Sequence, residues 1–284
     1  MQNIFTFEYI NSFNSYPIAF LVIYSLALLC LGSFASSMLF RISYNFKKNI
    51  NEVSIISPRS FCPKCNQTIK LINLIPLLGY VFQRGRCSMC RGSISIFYPA
   101  TEICFLLFGL GLAFVYGFGF FCFFLLFILF LFYILFFLDW KFYYLPFLCN
   151  LLLVVAGFIG NSFFNIFISD ISLFFNLTPF LFSFYGFLIG YFSLWIINFI
   201  FKLIYRADGI GGGDFILFGA IGALFGPFSL GLILFISAVC GCFIYVLFKN
   251  KFKSQIPLGS CLIFGSLLYF LIKNFELLNN LIVI

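Results

Sequence analysis

The sequence contains no histidine and carries very little charge. Only 8% of its 284 residues are charged and 63% are hydrophobic, whereas an ordinary soluble domain has about 25% charged residues. Without histidine the chain cannot use a Ser–His or Cys–His pair, and it cannot bind a metal through imidazole. The composition therefore excludes an ordinary soluble domain and leaves carboxylates, thiols and a few lysines for chemistry.

The first 17 residues also lack lysine and arginine. Because a cleavable signal peptide begins with a basic region, the apolar run that follows predicts a retained membrane span. A spanning helix needs roughly 20 apolar residues, and the chain has room for eight. The predicted spans lie within residues 18–40, 103–138 (two spans, divided at Gly117-Phe118-Gly119), 146–168, 177–201, 215–248 (two spans, divided at Gly226-Pro227) and 258–272.

The positions of the basic residues predict how these spans are oriented. With eight spans, 15 of the 16 Lys and Arg residues fall on one side of the membrane, and only Lys273 falls on the other. Short loops rich in Lys and Arg remain in the cytoplasm, so both termini are expected on the outer side. The net charge of +8 thus reflects membrane topology, and we expect no nucleic-acid partner.

One long hydrophilic segment, residues 41–101, follows the first span. It predicts a division into an N-terminal segment with the first span (1–40), a cytoplasmic loop domain (41–101) and a second membrane domain (102–284). The predicted fold class is therefore an all-α polytopic membrane protein with a cytoplasmic metal-binding loop after its first helix.

The hydrophilic loop contains two Cys-x-x-Cys pairs, Cys62 with Cys65 and Cys87 with Cys90, separated by 21 residues. Two such pairs at about this separation are typical of a tetrahedral zinc site. The alternatives are two disulfides or four unrelated thiols, and a reducing cytoplasm disfavours the disulfides. We predict a structural zinc ion, which leaves no open position for catalysis.

Ionisable side chains inside membrane spans are costly and often functional. The candidates are Glu102, Asp139, Asp208 and Asp214. Asp214 follows three glycines, Gly211-Gly212-Gly213, which allow the backbone to approach a substrate closely. The predicted topology places Asp139 and Asp214 at the same cytoplasmic depth of the membrane.

Two carboxylates brought together in a poorly solvated site cannot both stay ionised, so the pair shares a proton. The ionised partner can take a proton from water while the protonated one polarises a scissile carbonyl. This chemistry cleaves a peptide bond without histidine or metal. The alternatives are that Asp214 caps a helix and that Asp139 pairs with Lys141 or Arg206.

Several motifs in order along nearly the whole chain resemble the bacterial prepilin peptidases, also called type IV leader peptidases. The motifs are Gly32-Ser33-Phe34 with Arg41, Ser57-Pro58-Arg59-Ser60, the two cysteine pairs, Ile75-Pro76-Leu77-Leu78, Arg84-Gly85-Arg86, Tyr98-Pro99 with Glu102, Asp139 with Leu145-Pro146, Gly211-Gly212-Gly213-Asp214 and Ile256-Pro257-Leu258-Gly259.

The resemblance implies an enzyme of the bacterial inner membrane. Such enzymes remove the basic leader of type IV prepilins and type II secretion pseudopilins at the cytoplasmic face. Asp139 and Asp214 would be the catalytic pair, and the four cysteines would bind zinc. Many members then methylate the new N-terminus with S-adenosylmethionine, and the expected partners are these substrates and membrane lipid.

The chain departs from the family pattern at a few positions. Ser36 stands where the family usually has Asn, in a region tied to methylation, and Asp208 stands where Glu is common. The alternative functions are a methyltransferase-only or inactive relative, a proton-coupled transporter and a zinc-loop scaffold. The intact aspartate pair argues against the methyltransferase-only or inactive relative. The absence of a convincing inverted repeat argues against the transporter, and the Gly-Gly-Gly-Asp motif argues against the scaffold.

Overall fold

A computed structural model describes residues 16–48, 54, 57–164, 177–247 and 256–274. Within these residues all regular secondary structure is helical, apart from two isolated β-bridges in the cysteine loop, which is otherwise made of turns and irregular backbone. The all-α prediction is confirmed for this part of the chain. A single 3-10 turn spans Leu71–Leu74. The α-helices of this part of the chain are α1 (Ile18–Lys48), α2 (Leu78–Phe82), α3 (Phe97–Tyr116), α4 (Phe120–Phe142), α5 (Phe147–Phe164), α6 (Pro179–Tyr205), α7 (Gly212–Phe225), α8 (Leu230–Leu247) and α9 (Leu258–Asn274).

Five of these helices, α1, α3, α4, α6 and α8, are long and apolar enough to cross a membrane. Three more apolar helices, α5, α7 and α9, are shorter. The prediction of a multi-pass membrane protein is therefore confirmed, whereas the count of eight spans and their orientation stay predictions. Both chain termini lie outside the described residues.

The two predicted breaks in long apolar runs are confirmed. Helix α3 ends at Tyr116 and α4 begins at Phe120, while α7 ends at Phe225 and is followed by Gly226 at φ 81°. The first helix differs from the prediction, since it continues past residue 40 to Lys48. The eight additional residues include no glycine or proline, so nothing in the backbone ends the helix where the apolar run ends.

The chain divides into two compact units, residues 1–130 and 131–284, with the boundary inside α4. In the first unit, α1 packs against α3. The Tyr24 hydroxyl donates a hydrogen bond to the carbonyl oxygen of Gly109 at 3.1 Å, and the Leu28 side chain lies against Gly109. The predicted division at residues 40 and 101 stays a prediction.

In the second unit, α7 is buried from Phe215 to Phe225, except for the half-buried Ile216. It packs tightly against α6, because a β-carbon on either Gly186 or Gly222 would collide with the carbonyl oxygen of the other. Such close approach of small residues is typical of helix packing in membranes. With 14 residues, α7 is about 21 Å long.

Two of the carbonyl groups at the end of α7 accept hydrogen bonds from one buried side chain. Asn161 of α5 donates its amide to the carbonyl oxygens of Ala223 and Leu224, and to the Ser183 hydroxyl, each at 2.9 Å. These contacts join α5, α6 and α7 at the end of α7 opposite to Asp214.

Candidate active site and metal centre

Asp139 lies in the last turn of α4 and is only 4% exposed. Its Oδ2 atom accepts two hydrogen bonds from Ser260 of α9, one from the backbone N–H at 2.5 Å and one from the hydroxyl at 2.8 Å. The predicted alternative, an ion pair with Lys141 or Arg206, does not supply these bonds. Ser260 therefore holds one carboxylate oxygen and leaves Oδ1 without a hydrogen bond from the described residues.

Asp214 is the third residue of α7, and Gly211 occupies the N-cap position that was the alternative reading of this aspartate. A carboxylate in the first turn of a helix is stabilised by the helix dipole. The Oδ1 atom of Asp214 is buried and has no hydrogen-bond partner within the described parts of the chain. Asp214 thus also presents one unpartnered oxygen.

The two carboxylates are neighbours, and Gly259 of α9 lies between them. A β-carbon on Gly259 would be 3.1 Å from Oδ2 of Asp139, and the Gly259 backbone also lies close to the Asp214 carboxylate. The negative charges of Asp139 and Asp214 are close enough to repel each other. The structure therefore brings together, within the second unit, two groups that are 75 positions apart in the sequence.

The glycine run before Asp214 packs beside these residues. A β-carbon on Gly213 would lie 3.0 Å from Cβ of Leu145, and one on Gly211 would lie 3.3 Å from Oδ2 of Asp214, whereas Gly212 faces open space. The backbone oxygen of Gly213 accepts a hydrogen bond of 3.2 Å from the Asn150 side chain. Gly211 thus lies beside the Asp214 carboxylate and Gly213 packs against Leu145, while the role of the glycine run in binding substrate stays a prediction.

Sequence reasoning did not assign a role to Ser260 or Asn150. Both are polar residues in apolar helices, and both are fully buried. A buried polar group needs a hydrogen-bond partner, so an isolated Ser or Asn in an apolar run was the signal that could have identified them.

The other two acidic candidates lie elsewhere. Glu102 belongs to the first unit, where its Oε2 atom accepts a hydrogen bond of 2.8 Å from the backbone of Leu77. Asp208 is exposed and forms an ion pair of 2.9 Å with Lys202. Hydrogen bonds from Lys202 and Asn198 hold the pKa of Asp208 below its ordinary value.

The four predicted cysteine ligands come together in the first unit. Their Sγ atoms all lie within 4.8 Å of one another, and those of Cys62 and Cys90 are 3.9 Å apart. Tetrahedral zinc with Zn–S bonds of about 2.3 Å requires sulfur atoms roughly 3.8 Å apart. The cluster therefore fits zinc in both ligand number and size.

The two halves of the cluster have the same local structure. The residue after each second cysteine, Asn66 or Arg91, has a positive φ of 55° or 54° and donates its N–H to the carbonyl of the first cysteine. Each half is closed by one β-bridge, Phe61 with Thr68 and Arg86 with Ser93. Backbone amides of Cys90 and Met89 lower the pKa of Cys87 to about 7, which favours the thiolate that binds metal.

The fold and the site define a class of protein. A helical membrane protein that places a buried and a half-buried carboxylate side by side at helix ends has an arrangement suited to hydrolysis by paired carboxylates.

Comparison with known proteins identifies the family. Residues 26–116 match the bacterial peptidase A24 N-terminal domain, and residues 123–246 match the type IV leader peptidase family. No solved structure matches the chain.

Curated relatives are similar over most of the chain. It is 27% identical over 266 residues to the type 4 prepilin-like proteins leader peptide-processing enzyme of Escherichia coli, covering 90% of this chain and 95% of that protein. It is 31% identical over 210 residues to a prepilin leader peptidase/N-methyltransferase of Aeromonas hydrophila, covering 72% and 69%. A protein of the same name from Pseudomonas aeruginosa is 28% identical over 265 residues, covering 86% and 88%.

This chain therefore belongs to the type IV leader peptidase family. The resemblance stated from the motifs is confirmed, and with it the prediction that the chain is a peptidase.

Proposed function

We propose that this peptidase removes the basic leader of type IV prepilins, and of the related type II secretion pseudopilins, at the cytoplasmic face of the inner membrane. The observation that carries the proposal is the pairing of Asp139 and Asp214, because each presents one carboxylate oxygen without a hydrogen-bond partner among the described residues. The names of the relatives support the substrate class.

The geometry supports a division of labour between the two aspartates. Close negative charges favour a singly protonated pair. The ionised carboxylate takes a proton from water, and the protonated one donates to the carbonyl oxygen of the scissile peptide bond. Ser260 keeps Asp139 in place by two hydrogen bonds, so that the reacting oxygens need not reorganise during the step.

The four cysteines of the loop would hold a structural zinc ion. Four thiolate ligands close the coordination sphere, so the ion supplies folding energy to the loop and takes no part in hydrolysis. The loop has few apolar residues for a core of its own, which supports this role.

We further propose that the enzyme methylates the new N-terminus, as the names of relatives indicate for those proteins. S-Adenosylmethionine supplies the methyl group when it is bound.

The proposal is tested with the purified protein in detergent and a prepilin that carries its leader. Wild type is expected to remove the leader, whereas Asp139→Asn and Asp214→Asn each lower the rate by at least about 10³-fold, since removal of an acid or base group costs 10²–10⁴-fold. Mass spectrometry identifies the cleaved product and any added methyl group in the same sample.

Cysteine-bound zinc and a normal thermal unfolding midpoint serve as the control that both variants are folded. Cleavage by both variants at the wild-type rate would show that the two-aspartate mechanism is wrong.

A further inference from the structure

The loop between α6 and α7 lies directly before Asp214. Helix α6 ends at Tyr205, and Arg206 leaves it in a left-handed conformation with a φ of 55°. The loop then runs to Gly211, the N-cap of α7. All residues from 209 to 213 except Ile210 are glycines. Because glycine loses more conformational freedom on folding than any other residue, this segment keeps one conformation only if other parts of the protein hold it.

One buried side chain of α6 holds this loop. Asn198 is only 8% exposed, and its Oδ1 atom accepts the backbone N–H groups of Gly209 at 2.8 Å and Ile210 at 3.0 Å. Its amide nitrogen donates to Oδ1 of Asp208 at 3.2 Å. The side chain therefore bonds to three consecutive residues of the loop, and all of these residues belong to the second unit together with Asp214.

Two further residues of α6 contact the same part of the loop. A β-carbon on Gly209 would lie 2.8 Å from the ring of Phe201, so the loop backbone packs directly on this ring. Lys202 forms the ion pair of 2.9 Å with Asp208. Residues three and four positions apart lie on one face of a helix, so Asn198, Phe201 and Lys202 form a single surface on which the loop is held.

The end of this loop contacts the Asp214 carboxylate. The carbonyl oxygen of Gly211 accepts the backbone N–H of Asp214 at 3.0 Å. A β-carbon on Gly211 would lie 3.3 Å from Oδ2 of Asp214. Since Gly211 directly follows Ile210, a shift of the loop at Ile210 moves Gly211 and turns the Asp214 carboxylate relative to that of Asp139.

We propose that Asn198 is a positioning residue for peptide-bond hydrolysis, because it fixes the loop that sets the orientation of Asp214. This inference rests on the proposed function of the aspartate pair. A misplacement of 1 Å far from the reacting atoms can cost 10²-fold in rate, so loss of Asn198 should lower kcat and leave KM nearly unchanged. If Asn198 only stabilised the fold, its loss would lower the unfolding temperature but leave kcat of the folded enzyme unchanged.

The test combines the kinetics of leader removal with hydrogen exchange, on the full-length protein in detergent. Asn198→Ala removes all three hydrogen bonds to the loop. Asn198→Asp keeps the oxygens that accept the loop N–H groups, but it places a carboxylate against Asp208. The double variant Asn198→Asp with Asp208→Asn exchanges the two side chains and so restores a donor and an acceptor. Ser193→Ala is the matched control in α6, because the Ser193 hydroxyl donates to the Gly190 carbonyl of its own helix.

Asn198→Ala and Asn198→Asp are each expected to lower kcat by about tenfold or more, with KM nearly unchanged. The double variant should recover most of the wild-type kcat, and Ser193→Ala should match wild type. Mass spectrometry should show faster deuterium uptake at the Gly209 and Ile210 amides in Asn198→Ala, and uptake close to that of wild type in the double variant. Rates are compared below the unfolding temperature of every variant.

The outcomes separate failure of this inference from failure of the proposed function. If wild type removes the leader and folded Asn198→Ala has the same kcat, this inference alone is overturned. It is also overturned if deuterium uptake at the two loop amides is unchanged in Asn198→Ala, or if the folded double variant is as slow as Asn198→Ala. If wild type removes no leader, the proposed function is wrong and this inference falls with it.

Discussion

The cysteine centre and the aspartate site are built in opposite ways. All four thiols come from residues 62–90, and each half of the centre is shaped by a short loop with one left-handed residue and one β-bridge. The aspartate site combines the end of α4, the start of α7 and the start of α9, and the Asp139–Ser260 hydrogen bonds join residues 121 positions apart.

The geometry of the cysteine centre therefore depends on contacts that are local in the sequence, whereas the geometry of the aspartate site depends on contacts between distant segments. A Cys-x-x-Cys loop forms its geometry from neighbouring backbone groups, so its motif predicts its structure. Two aspartates 75 positions apart meet only if several helices pack correctly. The folding of the cysteine centre should therefore depend on bound metal, whereas the activity of the aspartate site should depend on small changes in the contacts between helices.

Removal of zinc is expected to have the largest effect. Structural zinc contributes roughly 10–16 kcal/mol of apparent binding energy, so a chelator or Cys62→Ser should unfold the loop. Limited proteolysis should then cut within residues 57–96, and elemental analysis should find zinc lost. Cys104→Ser is the control, because Cys104 is an exposed cysteine of α3 outside the cluster. Retention of zinc by Cys62→Ser would contradict the predicted ligand set.

Ser260→Ala should lower the activity of the aspartate site and leave the cysteine centre unchanged. It removes the hydroxyl that donates to Asp139 at 2.8 Å, and a hydrogen bond to a charged group contributes about 1.5–3 kcal/mol. We expect kcat/KM for leader removal to fall by about 10–100-fold while zinc content is unchanged. Ser266→Ala is the control in the same helix, because its hydroxyl bonds only to the carbonyl of Ile263. Equal cleavage rates for both variants would show that Ser260 has no role in positioning Asp139.

Gly259→Ala should have a smaller effect on the same chemistry. Its new methyl group would lie 3.1 Å from the Asp139 carboxylate, so that carboxylate must shift by a few tenths of an ångström. A misplacement of 1 Å can cost 10²-fold, and we expect about a tenfold loss of kcat/KM. Gly231→Ala is the control, since no atom lies within 4 Å of its new methyl group. An equal loss of kcat/KM in Gly231→Ala would show that any glycine-to-alanine change in these helices lowers activity, and that contact with Asp139 is not the cause.

Asp208→Asn should have the smallest effect. Asp208 and Lys202 are both more than half exposed, and exposed ion pairs contribute little. We expect less than about a threefold change in cleavage rate. Because the pKa of Asp208 is lowered, its ion pair persists at neutral and mildly acidic pH and is lost only as pH falls through that lowered pKa. A large loss of cleavage at pH 7 would assign Asp208 to the catalytic site.

Much of the architecture follows from the sequence, for identifiable reasons. Apolar runs of spanning length predicted the membrane helices, and Gly117 and Gly226 predicted the breaks that are found. Polarity marks the apolar run, which ends at residue 40, but it does not mark the end of the helix: α1 continues to Lys48 because helix geometry does not require apolar residues.

The sequence by itself thus determined the class of fold and the four-cysteine cluster, since each depends on composition or on short-range spacing, and it selected the two aspartates as candidates from their positions at the ends of apolar runs. Only the tertiary structure decided how the aspartates are held. Ser260 bonds to Asp139, Gly259 lies between the carboxylates, and Asn150 bonds to the glycine run before Asp214. These contacts join separate helices, and no local pattern encodes which side chains meet when helices pack.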